Sequence, residues 1–169
     1  MRDRGIFLDD DSYLHLPLRI CLPNEGQLNF IPVDYFVTAT LSVIEDSSSG
    51  RVYHIANDLS VTMDTLVEYA ERFLKIKGLK LVYGREEMGA ARNMSEDLFE
   101  RSIKSYRPYM SDKRIFQRKN IELVAVENEP PPFSYPIFER CMEYAISVEW
   151  GKMLFAEERK VELVNSTAD

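Results

Sequence analysis

Few residues of this chain have the types and spacing that acid–base catalysis needs. His54 lies in a run of strand-forming residues, where an imidazole can act as a general base if a neighbouring group orients it. The sequence identifies no such neighbour, so a histidine bonded to a backbone group is the alternative. Asp34 could contact a ligand, but the positive end of a helix dipole also favours an acidic residue at that place.

Metal and redox chemistry have still weaker signatures. The acidic run at residues 9–11 lacks the glycine and the distal glutamate of a calcium loop, which favours a solvated run of charges. Cys21 and Cys141 are far apart and match no CxxC spacing. We therefore expect two reduced, buried thiols and no metal site.

The glycines do not form a phosphate-binding loop. None of the seven falls in GxGxxG, GxxGxxG or GxxxxGK spacing, although a backbone that closely approaches a phosphate needs such clusters. GxSxG and HExxH are also absent from the sequence. The sequence thus predicts no catalytic, cofactor-binding or metal-binding residue within this chain.

Composition sets the class of protein. The 169 residues are 45% hydrophobic and 29% charged, which is typical of one globular domain with a real core. A net charge of −7 argues against nucleic acid and anionic membranes as partners. The N-terminus lacks an apolar signal core, and the apolar runs are short, so we expect a cytoplasmic protein.

Periodicity divides the single domain, residues 1–169, into four stretches. Residues 1–31 are expected to be irregular, because Pro17 and Pro23 interrupt their apolar runs. Residues 32–83 predict an α-β-α-β core, with a helix from Pro32, a strand at 51–57, a helix capped by Thr62 and a strand at 79–83. Gly78 is expected to stop the second helix.

The first of these helices carries an apolar stripe that we expect to be buried. Its members recur at three- and four-residue steps and are Val33, Phe36, Val37, Thr40, Leu41 and Ile44.

The second half of the chain is less regular. Residues 84–132 mix loop, a helix from Ser95 and a candidate strand at 121–126, and residues 133–169 form a C-terminal helical segment. The predicted fold class is therefore α/β (or α+β), with a small, few-stranded sheet and about four to five helices. It lacks the complete Rossmann half.

Three phrases of the sequence carry a family resemblance. They are NFIPVD at residues 29–34, VYHIAN at 52–57 and VTMDTL at 61–66. Together they resemble the C-terminal half of extended short-chain dehydrogenases/reductases. The most similar branch contains fatty acyl-CoA reductases, thioester reductase domains and NAD-dependent sugar-nucleotide epimerases.

The chain departs from that family in its catalytic parts. Family members carry a glycine-rich dinucleotide loop and a catalytic Tyr-x-x-x-Lys before the IPVD helix, and neither precedes it here. Tyr109 and Lys113 have that spacing, but they follow the family segment and Pro108 instead of lying in a helix beside the cofactor. The resemblance therefore implies no catalytic pair and no cofactor in this chain, with NAD(P) bound by the parent protein's other half.

The resemblance implies a substrate-binding lobe that is not catalytic alone. Asn29, Phe30 and Asp34 enter the first helix beside the family's pocket and are the substrate-binding candidates, for an acyl or sugar small molecule. Because the 51–57 strand would lack its sheet, we expect a homodimer or a complex with a separate dinucleotide-binding domain. The alternatives are a free-standing ligand-binding or protein-interaction module, and a complete enzyme using His54, Asp34 or Tyr109.

Overall fold

The computed structural model describes residues 6–46, 50–89, 91–124 and 129–151. It divides into two compact units, Met1–Phe133 and Ser134–Asp169. The fold is α/β with few strands, as predicted. The strands of unit 1 are β1 Phe7–Leu8, β2 Leu14–Leu22, β3 Gln27–Leu28, β4 Val61–Thr62 and β5 Ile76–Tyr83. Its helices are α1 Val33–Glu45, α2 Met63–Leu74, α3 Arg85–Met88, α4 Met94–Ile103, α5 Arg107–Met110 and α6 Lys119–Val124.

The described strands form two small sheets. In the larger sheet the order is β1-β2-β5, with β1 antiparallel and β5 parallel to β2. The smaller sheet pairs β3 with β4. The expectation that residues 1–31 are irregular is wrong, because β2 is the central strand and contains the buried Leu18, Ile20 and Leu22. Pro17 is tolerated there because it is exposed and lies at a register irregularity between His15 and Leu18.

The main core lies where α2 and α4 pack on the β2–β5 sheet. Met63 of α2 joins the buried residues of β2, and Leu66, Leu79 and Phe99 pack against them. The hydroxyl of Thr62 accepts a hydrogen bond from the Thr65 amide, which confirms the predicted cap of α2. The helix ends at Lys75 in the left-handed region, and not at Gly78, which lies within β5.

A second core holds α1 against α6. Its buried residues are Tyr35, Ala39 and Ile121, and Tyr53 and Ile55 pack against them. Helix α1 begins after Pro32, as expected, but it buries a different side from the one predicted. The predicted stripe is largely exposed to solvent, with Val33 77% and Ile44 72% exposed.

Two predicted strands are not strands in the structure. Residues 51–57 take part in neither sheet, and residues 121–124 belong to α6. Ile121 nevertheless contributes its side chain to the core, which is what its apolar character requires. An apolar run this short does not distinguish a strand from one buried helical turn.

Unit 2 contains one long helix, α7, at Tyr135–Ser147, followed by a short 3-10 turn at Glu149–Gly151. The helix predicted to reach Trp150 ends earlier, because Glu149 and Trp150 take left-handed backbone angles. Cys141 of α7 is exposed and Cys21 of β2 is buried, so only one of the two expected buried thiols is confirmed, and both cysteines are free. No helix within the described ranges is long and apolar enough to span a bilayer.

Candidate functional site

The predicted substrate-side segment is held by a pair of asparagines. The Asn29 side chain bonds both backbone groups of Asn57: its Oδ1 accepts from the amide and its Nδ2 donates to the carbonyl, each at 2.8 Å. Asn29 Nδ2 also lies 3.3 Å from Ser60 Oγ. These bonds engage both polar atoms of the Asn29 side chain, which gives this candidate a structural role.

Asn57 is the centre of this network and is buried. Its Nδ2 donates to the carbonyls of Phe30 at 3.2 Å and Pro131 at 2.9 Å, and its Oδ1 accepts from the Leu59 amide at 3.1 Å. One side chain thus ties the entry of α1 to the 51–57 segment and to residue 131. Asn57 closes the VYHIAN phrase, and nothing in its local sequence pattern marks it as the centre of a hydrogen-bond network.

Phe30 is half-buried and stacks on Phe133, with ring centroids 4.4 Å apart. Tyr69 of α2 approaches the same Phe133 ring at 6.4 Å. These aromatic contacts give Phe30 a packing role, beyond its backbone bond to Asn57.

Asp34 is the one candidate whose side chain borders open space. It lies in the first turn of α1, where its Oδ1 accepts from the Tyr35 amide at 2.9 Å. With Tyr35, Thr38, Glu129 and Pro131 it lines a groove of about 230 Å³. The structure therefore separates the three candidates: Asp34 borders a groove, and Asn29 and Phe30 lie in the scaffold that supports it.

A buried arginine stands behind this groove. Arg118 is only 6% exposed, and its Nη2 donates to the Tyr35 hydroxyl at 3.2 Å. Its Nη1 forms an ion pair with Asp58, and Glu122 lies 3.9 Å from the same nitrogen. Sequence reasoning missed Arg118, because nothing in its local pattern distinguishes a buried arginine from a solvated one. Arg118 thus links Tyr35, which lines the groove, to Asp58.

The groups proposed for independent catalysis are not brought together. His54 is exposed, and its Nδ1 bonds the Gln117 carbonyl at 3.1 Å, which matches the expected backbone partner. Tyr109 is exposed at α5. Among the described residues no three His, Cys, Asp or Glu side chains are grouped to hold a metal ion.

The described carboxyls with lowered pKa values belong to structural contacts. Glu96 is buried and accepts three bonds from Arg19, and the guanidinium lowers the pKa of this carboxyl to about 2. The Tyr13 amide, Lys77 and His15 hold the pKa of Asp9 well below its usual range. Arg114 lowers the pKa of Asp112 to about 2. The contacts of Glu96 and Asp9 join separate parts of the fold, that of Asp112 is local, and none of the three carboxyls lines the groove.

No family model, curated protein or solved structure matches the chain.

Proposed function

We propose that this chain is the substrate-binding lobe of an extended short-chain dehydrogenase/reductase, of the acyl thioester reductase or sugar-nucleotide epimerase type. It would act together with a dinucleotide-binding domain and have no turnover alone. The observation that carries the proposal is a helix and an extended segment that each leave apolar side chains exposed to solvent. They are α1 and residues 51–57, in which the resemblance to that family lies.

The exposed side of α1 is apolar. We define the α1 stripe as Val33, Phe36, Val37, Leu41 and Ile44, which are between 46% and 77% exposed. Burying an aliphatic or aromatic side chain of this size contributes about 1.5–3 kcal/mol. A run of five along one helix is therefore a favourable docking surface, and contiguous apolar patches typically mark an interaction site.

The 51–57 segment supports the same interpretation. Tyr53 and Ile55 pack into the α1–α6 core, and Val52 and His54 between and beside them are exposed. This alternation is that of a strand with one covered face. The segment belongs to neither described sheet, so a neighbouring strand from another domain would complete it.

The charges that line the groove favour an uncharged part of a substrate. Its described lining includes the carboxylates Asp34 and Glu129 and the hydroxyl of Thr38, and no lysine or arginine. Carboxylates repel phosphate groups and accept hydrogen bonds from hydroxyls. The groove thus suits the acyl or sugar part of a substrate, with the phosphates and NAD(P) bound by the partner domain.

Two titrations test this function. We expect NADPH and NADH to give no saturable heat with the chain alone. We expect an acyl-pantetheine or a UDP-sugar to shift the amide resonances of residues 28–38 at millimolar concentration, and Asp34→Ala to reduce the shift, with the exposed Asp64→Ala as control. Saturable NADPH binding, or shifts confined to other residues, would contradict the proposal.

A free-standing protein-interaction module is the second candidate, because the α1 stripe suits a protein partner regardless of any substrate. It predicts association through α1 without perturbation at residues 28–38 by either probe. A cytoplasmic location is part of both proposals, and the free Cys21 and Cys141 support it, since oxidising compartments favour disulfides.

A further inference from the structure

The larger sheet ends at β5, and no strand in the described ranges pairs with its outer side. This edge is eight residues long and rich in apolar side chains. A strand of this kind normally presents N–H and C=O groups on which another chain can pair. The question for β5 is therefore which groups of the protein bond its outward N–H groups in place of a strand.

Two carboxylates occupy three amide donors of this edge. Glu71 Oε1, from the last turn of α2, accepts from the amides of Gly78 and Leu79, both at 2.9 Å. Glu87 Oε2, from α3, accepts from the Tyr83 amide at 2.8 Å. Hydrogen bonds to an ionised carboxylate are about twice as strong as neutral ones, so an incoming strand's carbonyls would compete poorly.

The double bond to Glu71 depends on the backbone at Gly78. Consecutive amides of a regular strand point to opposite sides, yet those of Gly78 and Leu79 reach one oxygen. The φ of +100° at Gly78 breaks the alternation and turns both amides outward. The positive φ of Gly78 and the carboxylate of Glu71 therefore act together to engage two neighbouring amides of this edge.

The opposite edge of the sheet is also closed by side chains. Beyond the short pairing with β1, the Arg19 amide of β2 donates to Glu96 at 3.1 Å. The Cys21 carbonyl accepts from Arg107 Nη2 at 3.0 Å. That closure is made by groups inside the α4–α5 packing, whereas the closure of β5 rests on two side chains at the surface.

We propose that Glu71 and Glu87 are edge caps that keep β5 from pairing with β5 of a second copy of this chain. The same strand in a second copy is the fitting occupant, because a two-fold axis brings identical edges together antiparallel and would extend two three-stranded sheets into one of six. The apolar Ile76, Leu79 and Leu81 favour such pairing. This self-association is independent of the α1 stripe.

Removing both caps tests the proposal. In Glu71→Ala/Glu87→Ala at low protein concentration, the amides of Gly78, Leu79 and Tyr83 should exchange with deuterium about tenfold faster than in the wild type. As concentration rises, sedimentation should show a doubling of mass over the wild type, and the same amides should become protected. Glu71→Gln/Glu87→Gln keeps a neutral acceptor oxygen at each place and should fall between the alanine variant and the wild type in both exchange and association. Glu68→Ala removes one exposed carboxylate from the same helix as Glu71 and is the control for the loss of surface charge.

An unchanged distribution of mass over all concentrations would overturn the proposal, as would a gain in mass that Glu68→Ala produces equally. If the double variant does not fold, Glu87→Ala alone decides the matter, because its bond lies outside α2. It should accelerate exchange at Tyr83 and raise association. Failure of both effects in a folded Glu87→Ala protein would likewise overturn it.

Discussion

At the scale of single residues, side-chain amides and carboxylates bond backbone N–H and C=O groups that a neighbouring strand would bond in a larger sheet. The Asn57 side chain takes the place of backbone hydrogen bonds between strands, because it bonds three backbone groups from separate segments. Asn29 bonds both backbone groups of residue 57 as a neighbouring strand would. These polar contacts are buried, so each atom that loses a partner is costly.

We predict that Asn57→Ala destabilises the protein by about 2–3 kcal/mol, because it leaves the carbonyls of Phe30 and Pro131 and the Leu59 amide without their side-chain partner. Urea unfolding followed by circular dichroism measures the change. Asn120→Ala is the control, since it removes one solvent-facing bond, to the Val52 carbonyl, and should cost no more than about 1 kcal/mol. Equal costs for the two variants would contradict the role given to Asn57.

The buried Glu96–Arg19 pair predicts an acid-sensitive contribution to stability. The pKa of Glu96 falls from 4.5 to about 2 on folding, so its contribution is complete above pH 4.5 and is lost as the pH falls toward 2. We expect the contribution to be on the order of 2 kcal/mol. Unfolding of the wild type and of Glu96→Gln between pH 6 and 2 isolates it: the free-energy difference should shrink with acid. A constant difference would show that the carboxylate's charge is not the cause.

At the scale of elements, the sequence predicts those parts whose ends carry local signals. Pro32 and Thr62 place the starts of α1 and α2 correctly, because capping depends on neighbours in the chain. β2 was missed because Pro17 excludes a regular strand, whereas a bulge on the exposed side accommodates it. The prediction of which side of α1 is buried was also wrong, because periodicity identifies an apolar side but not the element that packs against the helix.

Two glycines with positive φ, Gly78 within β5 and Gly84 directly after it, distinguish the cost of backbone strain from that of steric contact. Gly78 and Gly84 have φ values of +100° and +81°, but a Cβ at Gly78 would lie 3.0 Å from the Leu16 carbonyl oxygen, and one at Gly84 would meet nothing within 4 Å. Both alanine variants should lose about 1 kcal/mol or more from strain. Gly78→Ala should lose measurably more, because β2 must also shift. Thermal unfolding compares the two, and a larger loss for Gly84→Ala would contradict this account.

At the scale of the whole molecule, the sheet edges that side chains bond and the apolar side chains that stay exposed belong to different elements. Glutamates and α4–α5 side chains close the sheet edges, and the α1 stripe and the side chains of Val52 and His54 remain exposed. The resemblance of residues 29–34 and 52–57 to extended reductases stays a prediction from the sequence. That Tyr53 and Ile55 share a core with α1, whereas Val52 and the α1 stripe are exposed, required tertiary structure.

The α1 stripe predicts association that charge should abolish without loss of fold. If the partner is a second copy, the wild type should associate as its concentration rises, and Val37→Glu/Leu41→Glu should remain monomeric, because two buried carboxylates would lack partners. Both residues are at least half exposed, so the melting temperature of the monomer should change little. Thr38→Glu/Ser105→Glu adds the same charge at exposed positions outside the stripe and should leave more of the association intact. Sedimentation equilibrium measures both pairs. A wild type that stays monomeric would exclude self-association, and the stripe would then have to be tested against a separate dinucleotide-binding domain.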